Sequence, residues 1–194
     1  ANTGVQTIEG FSVFGENVNV FVDNGSILNL GTKILAGDGN FTLSAGAEIV
    51  LGHIRGIALN TYSGNVQMVG TRTYSSGANY TYNGTDAQKT GDGLPSIVNN
   101  LKVNNSAGLL LSNNVTVANT LTLVAGNINT SSYTLKLGVS NAMPGTLVRN
   151  SSNAPTIIGW MGRWISSSAA NGYLFPLSYE GKYRGVNTTF TTLP

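Results

Sequence analysis

The chain has 194 residues, and only 9% of them are charged, against about a quarter in an ordinary soluble domain. Its polarity comes from 24 Asn, 21 Thr and 18 Ser, which together with 25 Gly make up nearly half of the chain. A net charge of +2 disfavours nucleic-acid binding, the lack of Cys excludes a disulfide scaffold, and the apolar runs are too short for a membrane span.

Short segments in which apolar and polar residues alternate recur along the chain. In chain order they are Val18–Val20, Phe41–Leu43, Val66–Met68, Leu101–Val103, Leu109–Leu111, Val115–Val117, Leu121–Leu123, Asn127–Asn129 and Leu135–Leu137. This alternation predicts strands with one buried face. The residues between them are mostly Asn, Ser and Gly, which favour tight turns. The sequence therefore predicts an all-β chain of short strands.

The spacing of these segments predicts that the strands stack in parallel. Counting three segments on gives separations of 20, 18 and 20 residues: Leu101 to Leu121, Leu109 to Asn127, and Val115 to Leu135. The series Val18, Phe41, Val66, Leu101 extends the column backward, with a longer step across residues 83–97 that predicts a loop or corner insertion. This pattern predicts a right-handed parallel β-helix, or β-solenoid, of about 20 residues per coil. A simple antiparallel meander is the alternative.

The stacking hypothesis also explains the unusual composition. Inward positions hold Leu, Val and Ile, while outward positions and corners hold Asn, Ser and Thr. Stacked amides form side-chain hydrogen bonds along a column, whereas stacked ions of one sign repel each other. We therefore expect ladders of neutral polar side chains from one coil to the next.

The pattern changes after residue 140. Strand spacing is lost, and aromatic residues concentrate beyond residue 160. We predict two units: a β-solenoid over 1–140, and an aromatic-rich element over 141–194 that is a C-terminal antiparallel β cap or the start of a next module. Ala1 is expected to be either a mature N-terminus or an internal cut in a longer protein.

Several stretches resemble a module of large Bacteroidetes surface and secreted proteins of the type IX secretion kind. They are Phe41–Gly52, Gly56–Ile57, Gly64–Gln67, Thr71–Tyr74, Ala78–Thr85, Ala87–Gly91, Gly93–Gly108, Tyr173–Leu177 and Tyr183–Val186. The resemblance covers roughly residues 18–190. It implies a secreted β-helical module, located extracellularly or on the cell surface, with a structural or adhesive role. No sorting domain is evident, so we expect export by that route to depend on sequence outside these residues.

The ionisable residues give little sign of catalysis. Asp23, Glu48 and Asp92 are the candidates for a carboxylate site on one face. Against this, Asp23, Asp38 and Asp92 stand in Gly-containing turns, where Asp hydrogen-bonds the backbone. His53 is the only histidine, too few for a His-rich metal site. We therefore predict no catalytic, cofactor or metal site and no enzyme activity. Calcium is the one metal left open, because it accepts Asp, Asn and backbone oxygens.

Aromatic residues are the one candidate for ligand contact. Tyr62, Tyr74, Tyr80 and Tyr82 on an outer face, and Trp160 with Trp164, are candidates to stack on sugars. The alternatives are cross-strand pairs for the tyrosines and the core of a small cap for the tryptophans.

The leading functional hypothesis is a structural or adhesive module, a stalk or filament subunit. A β-helix ends in open strand edges, and nothing in residues 1–17 clearly caps the first coil, so the expected partners are neighbouring modules or subunits that pair through β edges. Surface glycans are possible further partners. The alternative is a carbohydrate-binding or polysaccharide-degrading β-helix module.

Overall fold

The computed structural model describes residues 4–7, 12–13, 17–152, 154–166 and 172–189. The first strands are β1 (Val5–Thr7), β2 (Ser12–Val13), β3 (Val20–Val22), β4 (Ile27–Gly31), β5 (Leu35–Gly37), β6 (Phe41–Leu43), β7 (Glu48–Leu51), β8 (Val66–Met68), β9 (Arg72–Tyr74) and β10 (Asn79–Tyr82). They are followed by β11 (Gln88–Lys89), β12 (Ile97–Asn104), β13 (Leu109–Leu110), β14 (Val115–Ala125), β15 (Ile128–Leu137) and β16 (Thr146–Arg149). The last are β17 (Ile157–Arg163), β18 (Tyr173–Phe175), β19 (Leu177–Tyr179), β20 (Lys182–Tyr183) and β21 (Val186–Thr188). Over these ranges the chain is all-β, with no helix and therefore none that is able to span a membrane.

Most of these strands pair in parallel. The largest sheet has 13 strands and runs β1-β4-β7-β10-β12-β14-β15-β17-β19-β20, with β11, β13 and β16 attached beside this path. Two smaller sheets are entirely parallel, β2-β5-β8 and β3-β6-β9. The pairs β3-β6-β9, β4-β7-β10-β12, β5-β8 and β11-β13 place the sets β3–β5, β6–β8, β9–β11 and β12–β13 in succession, and we call each set a tier. The large, mostly parallel sheet is compatible with a β-solenoid.

The register confirms two of the predicted strand alignments. Leu101 pairs with Leu121, and Val115 pairs with Leu135. Leu109 pairs with Ile128, one residue beyond the predicted partner Asn127. Alternation in the second half of the chain was therefore sufficient to align most strands correctly.

In the first half, the first predicted step is confirmed as a strand pair, because β3 lies beside β6 with Val20 and not Val18 opposite Phe41. The later steps are wrong. Phe41 pairs with Val20 and Arg72, while Val66 pairs with Leu35 in another sheet. Leu101 pairs with Tyr80. The assumption of equal spacing fails here because the extra residues of the long step do not lie at 83–97, where the spacing predicted them.

The extra residues lie between β7 and β8, at 52–65, a segment we call the insert. Ile49 pairs with Tyr80, 31 residues on, whereas Tyr80 and Leu101 are 21 apart. The prediction that residues 83–97 form an insertion is therefore wrong. Those residues contain β11, which pairs in parallel with β13.

The interior of the stack is filled by the inward side chains of every tier. Leu30, Leu35, Leu43, Ile49 and Leu101 are among the side chains that are almost completely buried. The corners repeat one turn geometry: Ser26, Ala47 and Ala78 each donate a backbone N–H to the carbonyl three residues earlier. Such recurring corners align each tier with the one before it.

Polar side chains connect the tiers, in part as predicted. Asn100 donates from Nδ2 to Asn79 Oδ1 over 2.7 Å, the expected amide-to-amide contact. More often a side-chain oxygen accepts a backbone N–H from the next tier. Asn19 Oδ1 accepts the Asn40 N–H, and Asn40 Oδ1 accepts the Thr71 N–H, each over 2.8 Å. Asn114 repeats this contact with the Thr134 N–H at 2.9 Å.

The parallel pairing continues past residue 140 before antiparallel strands appear. β16 pairs with β14, and β17 with β15, both in parallel. Antiparallel pairs form between β18 and β21 and between β19 and β20. Arg149 lies over the ring of Tyr183 at 5.0 Å, and Arg163 over that of Tyr173 at 4.8 Å, which ties this end to the sheet. The division into 1–140 and 141–194 stays a prediction.

Candidate functional site

The insert is held against the stack by side chains of neighbouring tiers. Arg72 lies on β9, and its Nη1 donates to the carbonyls of Ala58 and Val66 at 3.0 Å each. Its Nη2 donates to the Leu59 carbonyl. Asp92 Oδ1 accepts the Leu59 N–H over 2.8 Å. One cation and one carboxylate therefore fix the same stretch of backbone from two sides.

Buried amides anchor the two ends of the insert. Asn65 Oδ1 accepts the His53 N–H over 3.0 Å, and its Nδ2 donates to the carbonyls of Gly31 and Lys33 at 2.7 Å. Gln88 donates to the His53 carbonyl over 3.1 Å. Because these amides are almost completely buried, their hydrogen bonds are costly to break.

A shallow cleft of about 250 Å³ opens beside the insert, and we call it the insert cleft. It is lined by Arg55, Ala58, Asn60, Ser63, Lys89, Gly91, Asp92 and Ser112. The Lys89 N–H donates to the Ile54 carbonyl over 2.8 Å, which places β11 directly beside the insert. The fold thus brings two cations and a carboxylate to one cleft.

His53 stands at the start of the insert, close to the Arg55 cation. Burial, and then the nearby Arg55 cation, lower its pKa below 6.5. Its Nδ1 accepts the Arg55 N–H over 3.1 Å, so the imidazole helps to shape the backbone that presents Arg55.

The outer part of the insert exposes apolar side chains. Ile54 is 49% exposed, Leu59 67% and Tyr62 80%. Tyr62 lies between Asn60 and Ser63, two residues that line the cleft, and its N–H is held by Asn60 Oδ1 at 2.8 Å. Tyr62 is therefore the one predicted sugar-contact residue that the structure places next to this cleft.

The outer-face prediction is wrong for Tyr80 and Tyr82. Both side chains point inward and are almost completely buried, on a strand in which Thr81 between them is buried as well. Their hydroxyls donate to the carbonyls of Ser75 and Thr90, at 2.6 and 2.7 Å. Tyr74 is half-buried against Phe41, with ring centroids 5.4 Å apart. Burial raises the pKa of all three phenols.

Trp160 and Trp164 lie at the other end of the large sheet. They are 70% and 42% exposed, and Trp160 pairs with Thr134 at the edge formed by β17. Along the sheet order, five strand positions separate β7 from β17. The structure therefore does not bring the tryptophans and Tyr62 into one site.

The carboxylates that seemed able to share a face are dispersed. Glu48 accepts a hydrogen bond from Thr81 Oγ1 over 2.7 Å and lines a different cleft from Asp92. The backbone-binding role expected of a turn aspartate is confirmed at Asp92, although the backbone it holds belongs to the insert. Throughout the described ranges, no three His, Asp or Glu side chains lie close enough together to hold a metal ion. The calcium prediction stays untested.

Sequence reasoning missed Arg55 and Lys89. They are 34 positions apart and belong to no motif, and they line one cleft only because β11 lies beside the insert. The position of the extra residues is the one sequence feature that points to this cleft. Functional residues of a repetitive scaffold are often found in the loops that interrupt the repeat.

Comparisons with known proteins supply no relative for this chain. No family model, no curated protein and no solved structure matches it. The functional argument accordingly depends on the residues and contacts described above.

Proposed function

We propose that this chain is a right-handed β-solenoid with coils of about 20 residues, extended where the insert occurs, and that it serves as a structural or adhesive module. It belongs to a large extracellular bacterial surface protein, as a stalk or filament subunit, and it performs no catalysis. The observation that carries this proposal is the chain of tier-to-tier contacts from Asn19 to Asn40 to Thr71. These side chains hold one tier to the next, as is expected of a rod that transmits mechanical load.

Unpaired strand edges support assembly with neighbouring copies or modules. β16 pairs with β14 on one side, and no second partner occurs for it within the described ranges. Residues Trp160–Arg163 of β17 pair only with β15 in the same part of the chain. Exposed strand edges of this kind readily add a strand from another chain.

Light scattering over a concentration series tests the assembly. We expect the apparent mass to rise with protein concentration, both in the parent chain and in a Trp160→Thr/Trp164→Thr variant that removes the exposed apolar rings without placing a charge on the edge strand. A constant monomer mass would contradict assembly through strand edges. Association that disappears in the double variant would assign it to the tryptophans and overturn the edge mechanism.

The location is tested on the source cells. Antibodies against the chain are expected to label intact bacteria, and protease added outside is expected to remove the label. Recovery of the protein only after lysis would contradict a surface role.

The alternative is a carbohydrate-binding or polysaccharide-degrading module. The observation that favours it is the exposed Tyr62 beside a polar cleft. An array of polysaccharides, read both for retention and for release of reducing ends, separates binding from degradation. Binding without release supports a non-catalytic glycan-contact role, and release of reducing ends overturns the absence of catalysis.

A further inference from the structure

Two cations in the insert cleft have no partner of their own. Arg55 comes from the insert, and Lys89 comes from β11. In the ranges that the structure covers, neither side chain makes a hydrogen bond or an ion pair, although the insert backbone is held close by at His53, Ala58 and Leu59. Unpaired cations at one concave surface attract an anionic group.

The remaining lining residues restrict what kind of anion fits. Asp92 lines the same cleft, and while its Oδ1 holds the Leu59 N–H, its Oδ2 has no hydrogen-bond partner among the described residues. A carboxylate oxygen in this position accepts hydrogen bonds and repels a compact, highly charged anion such as phosphate. Ser63 and Ser112 add hydroxyls to the cleft wall. The cleft therefore suits a ligand that carries both a single negative charge and several hydroxyl donors.

The insert also exposes apolar side chains that are close in sequence to a residue lining the cleft. Leu59 and Tyr62 are exposed on either side of Asn60, a lining residue. An aromatic or aliphatic side chain packs against the C–H face of a sugar ring, and the charged and hydroxyl groups of the same ring then face the polar wall.

The insert is preorganised for this contact. Arg72, Asp92, Asn65 and Gln88 hold its backbone at both ends and in the middle. A rigid loop loses little conformational entropy when a ligand binds, so a small number of contacts is sufficient for measurable affinity.

We propose that the insert cleft binds the carboxylated sugar units of an acidic polysaccharide. Arg55 and Lys89 bind the carboxylate, Asp92 and the two serines bind ring hydroxyls, and Tyr62 with Leu59 contacts the apolar face of the ring. The inference goes beyond the structural role proposed above and does not depend on assembly, since a rod can carry a ligand site on its side.

Isothermal titration calorimetry with trigalacturonic acid tests the site in the full chain. The parent is expected to bind the acid and not its fully methyl-esterified counterpart, which has the same rings without the charges. An Arg55→Gln/Lys89→Gln variant is expected to bind the acid more weakly than the parent, by about tenfold or a larger factor. A Lys102→Gln/Lys136→Gln variant removes the same net charge from exposed positions outside the cleft and is expected to bind like the parent.

Each other outcome contradicts the proposal. Equal binding of the acid and the ester would contradict recognition of the carboxylate. Equal weakening in both double variants would show that the binding is general charge attraction. Complete competition by inorganic sulfate at matched concentration would show a simple anion site. No binding by the parent would overturn the site, while light scattering reports independently whether the chain still assembles.

Discussion

Asn105 donates from Nδ2 to Gln88 Oε1 over 2.9 Å, and both amides are buried inside the stack. Gln88 Oε1 also accepts the Gly84 N–H, and its Nε2 donates to the carbonyls of Leu51 and His53. One side chain thus joins β7, its own tier and the tier of β12, with its full hydrogen-bonding capacity used.

Replacing Asn105 by Ala should destabilise the fold by about 2 kcal/mol, because it leaves buried partners without hydrogen bonds. The adjacent Asn104 is exposed, so Asn104→Ala is the matched control and should change the stability by less than about 0.5 kcal/mol. Urea unfolding followed by circular dichroism measures both. Equal losses in the two variants would show that the buried amide network does not carry the effect.

Arg72→Ala should loosen the insert while leaving the stack folded, because it removes the donors to the carbonyls of Ala58, Leu59 and Val66. Hydrogen exchange is expected to become faster at residues 57–66 and to stay unchanged in β12 and β14. Arg55→Ala removes an arginine that makes no such hydrogen bond and serves as the control. Unchanged exchange in Arg72→Ala would contradict the bracing role.

Gly126→Ala tests close approach between tiers. A Cβ at this glycine would lie 1.7 Å from the Asn105 carbonyl oxygen, and its φ of +76° is itself unfavourable for Ala. Gly181 has a similar φ of +70° but no atom within 4 Å of that position.

We therefore expect a stability loss of about 1 kcal/mol for Gly181→Ala, from the left-handed backbone alone. Gly126→Ala should lose about 3 kcal/mol, since overpacking is added. Thermal unfolding of the two variants measures the difference. Similar losses would mean that the tiers can separate at this corner without cost.

Acidification should destabilise the protein through His53. Burial and the Arg55 cation lower its pKa below 6.5, so between the folded pKa and 6.5 the unfolded chain binds more protons than the folded one. This contribution to stability is fully present above 6.5 and is lost as the pH falls through that range. His53→Asn keeps an acceptor near the Arg55 N–H without titrating.

Between about pH 8 and about pH 5, the melting temperature of the variant should fall less than that of the parent. Differential scanning calorimetry at several pH values measures this difference. Parallel pH curves for the two proteins would contradict a role for His53.

Sequence pattern was sufficient for the strand class and for the alignment of Leu101 with Leu121, because alternation and spacing are both local signals. It failed for Tyr80 and Tyr82, because a phenol ring can face either side of a sheet and inside the stack each hydroxyl finds a carbonyl acceptor. It also failed for the position of the insert. Extra residues at 52–65 and at 83–97 give the same total length between Phe41 and Leu101, and only pairing distinguishes them.

The candidate site was unpredictable for a related reason. Arg55 and Lys89 meet because β11 lies beside the insert, and that contact follows from the register and not from any motif. The sequence identified Tyr62 by residue type alone. Its exposure depends on the side of the turn on which it lies, and residue type does not show that.

The contacts from Asn19 to Asn40 and from Asn40 to Thr71 have equal lengths although they span 21 and 31 residues of chain. The scaffold is therefore indifferent to how much sequence leaves and re-enters it between β7 and β8. Because Ile57 and Asn65 of the insert are buried, exchange of loop length and chemistry with the stack retained is expected only in the stretch between them, where Leu59 and Tyr62 are exposed. Under the ligand role proposed for the insert, the ligand can thereby change while the shape of the stack stays the same.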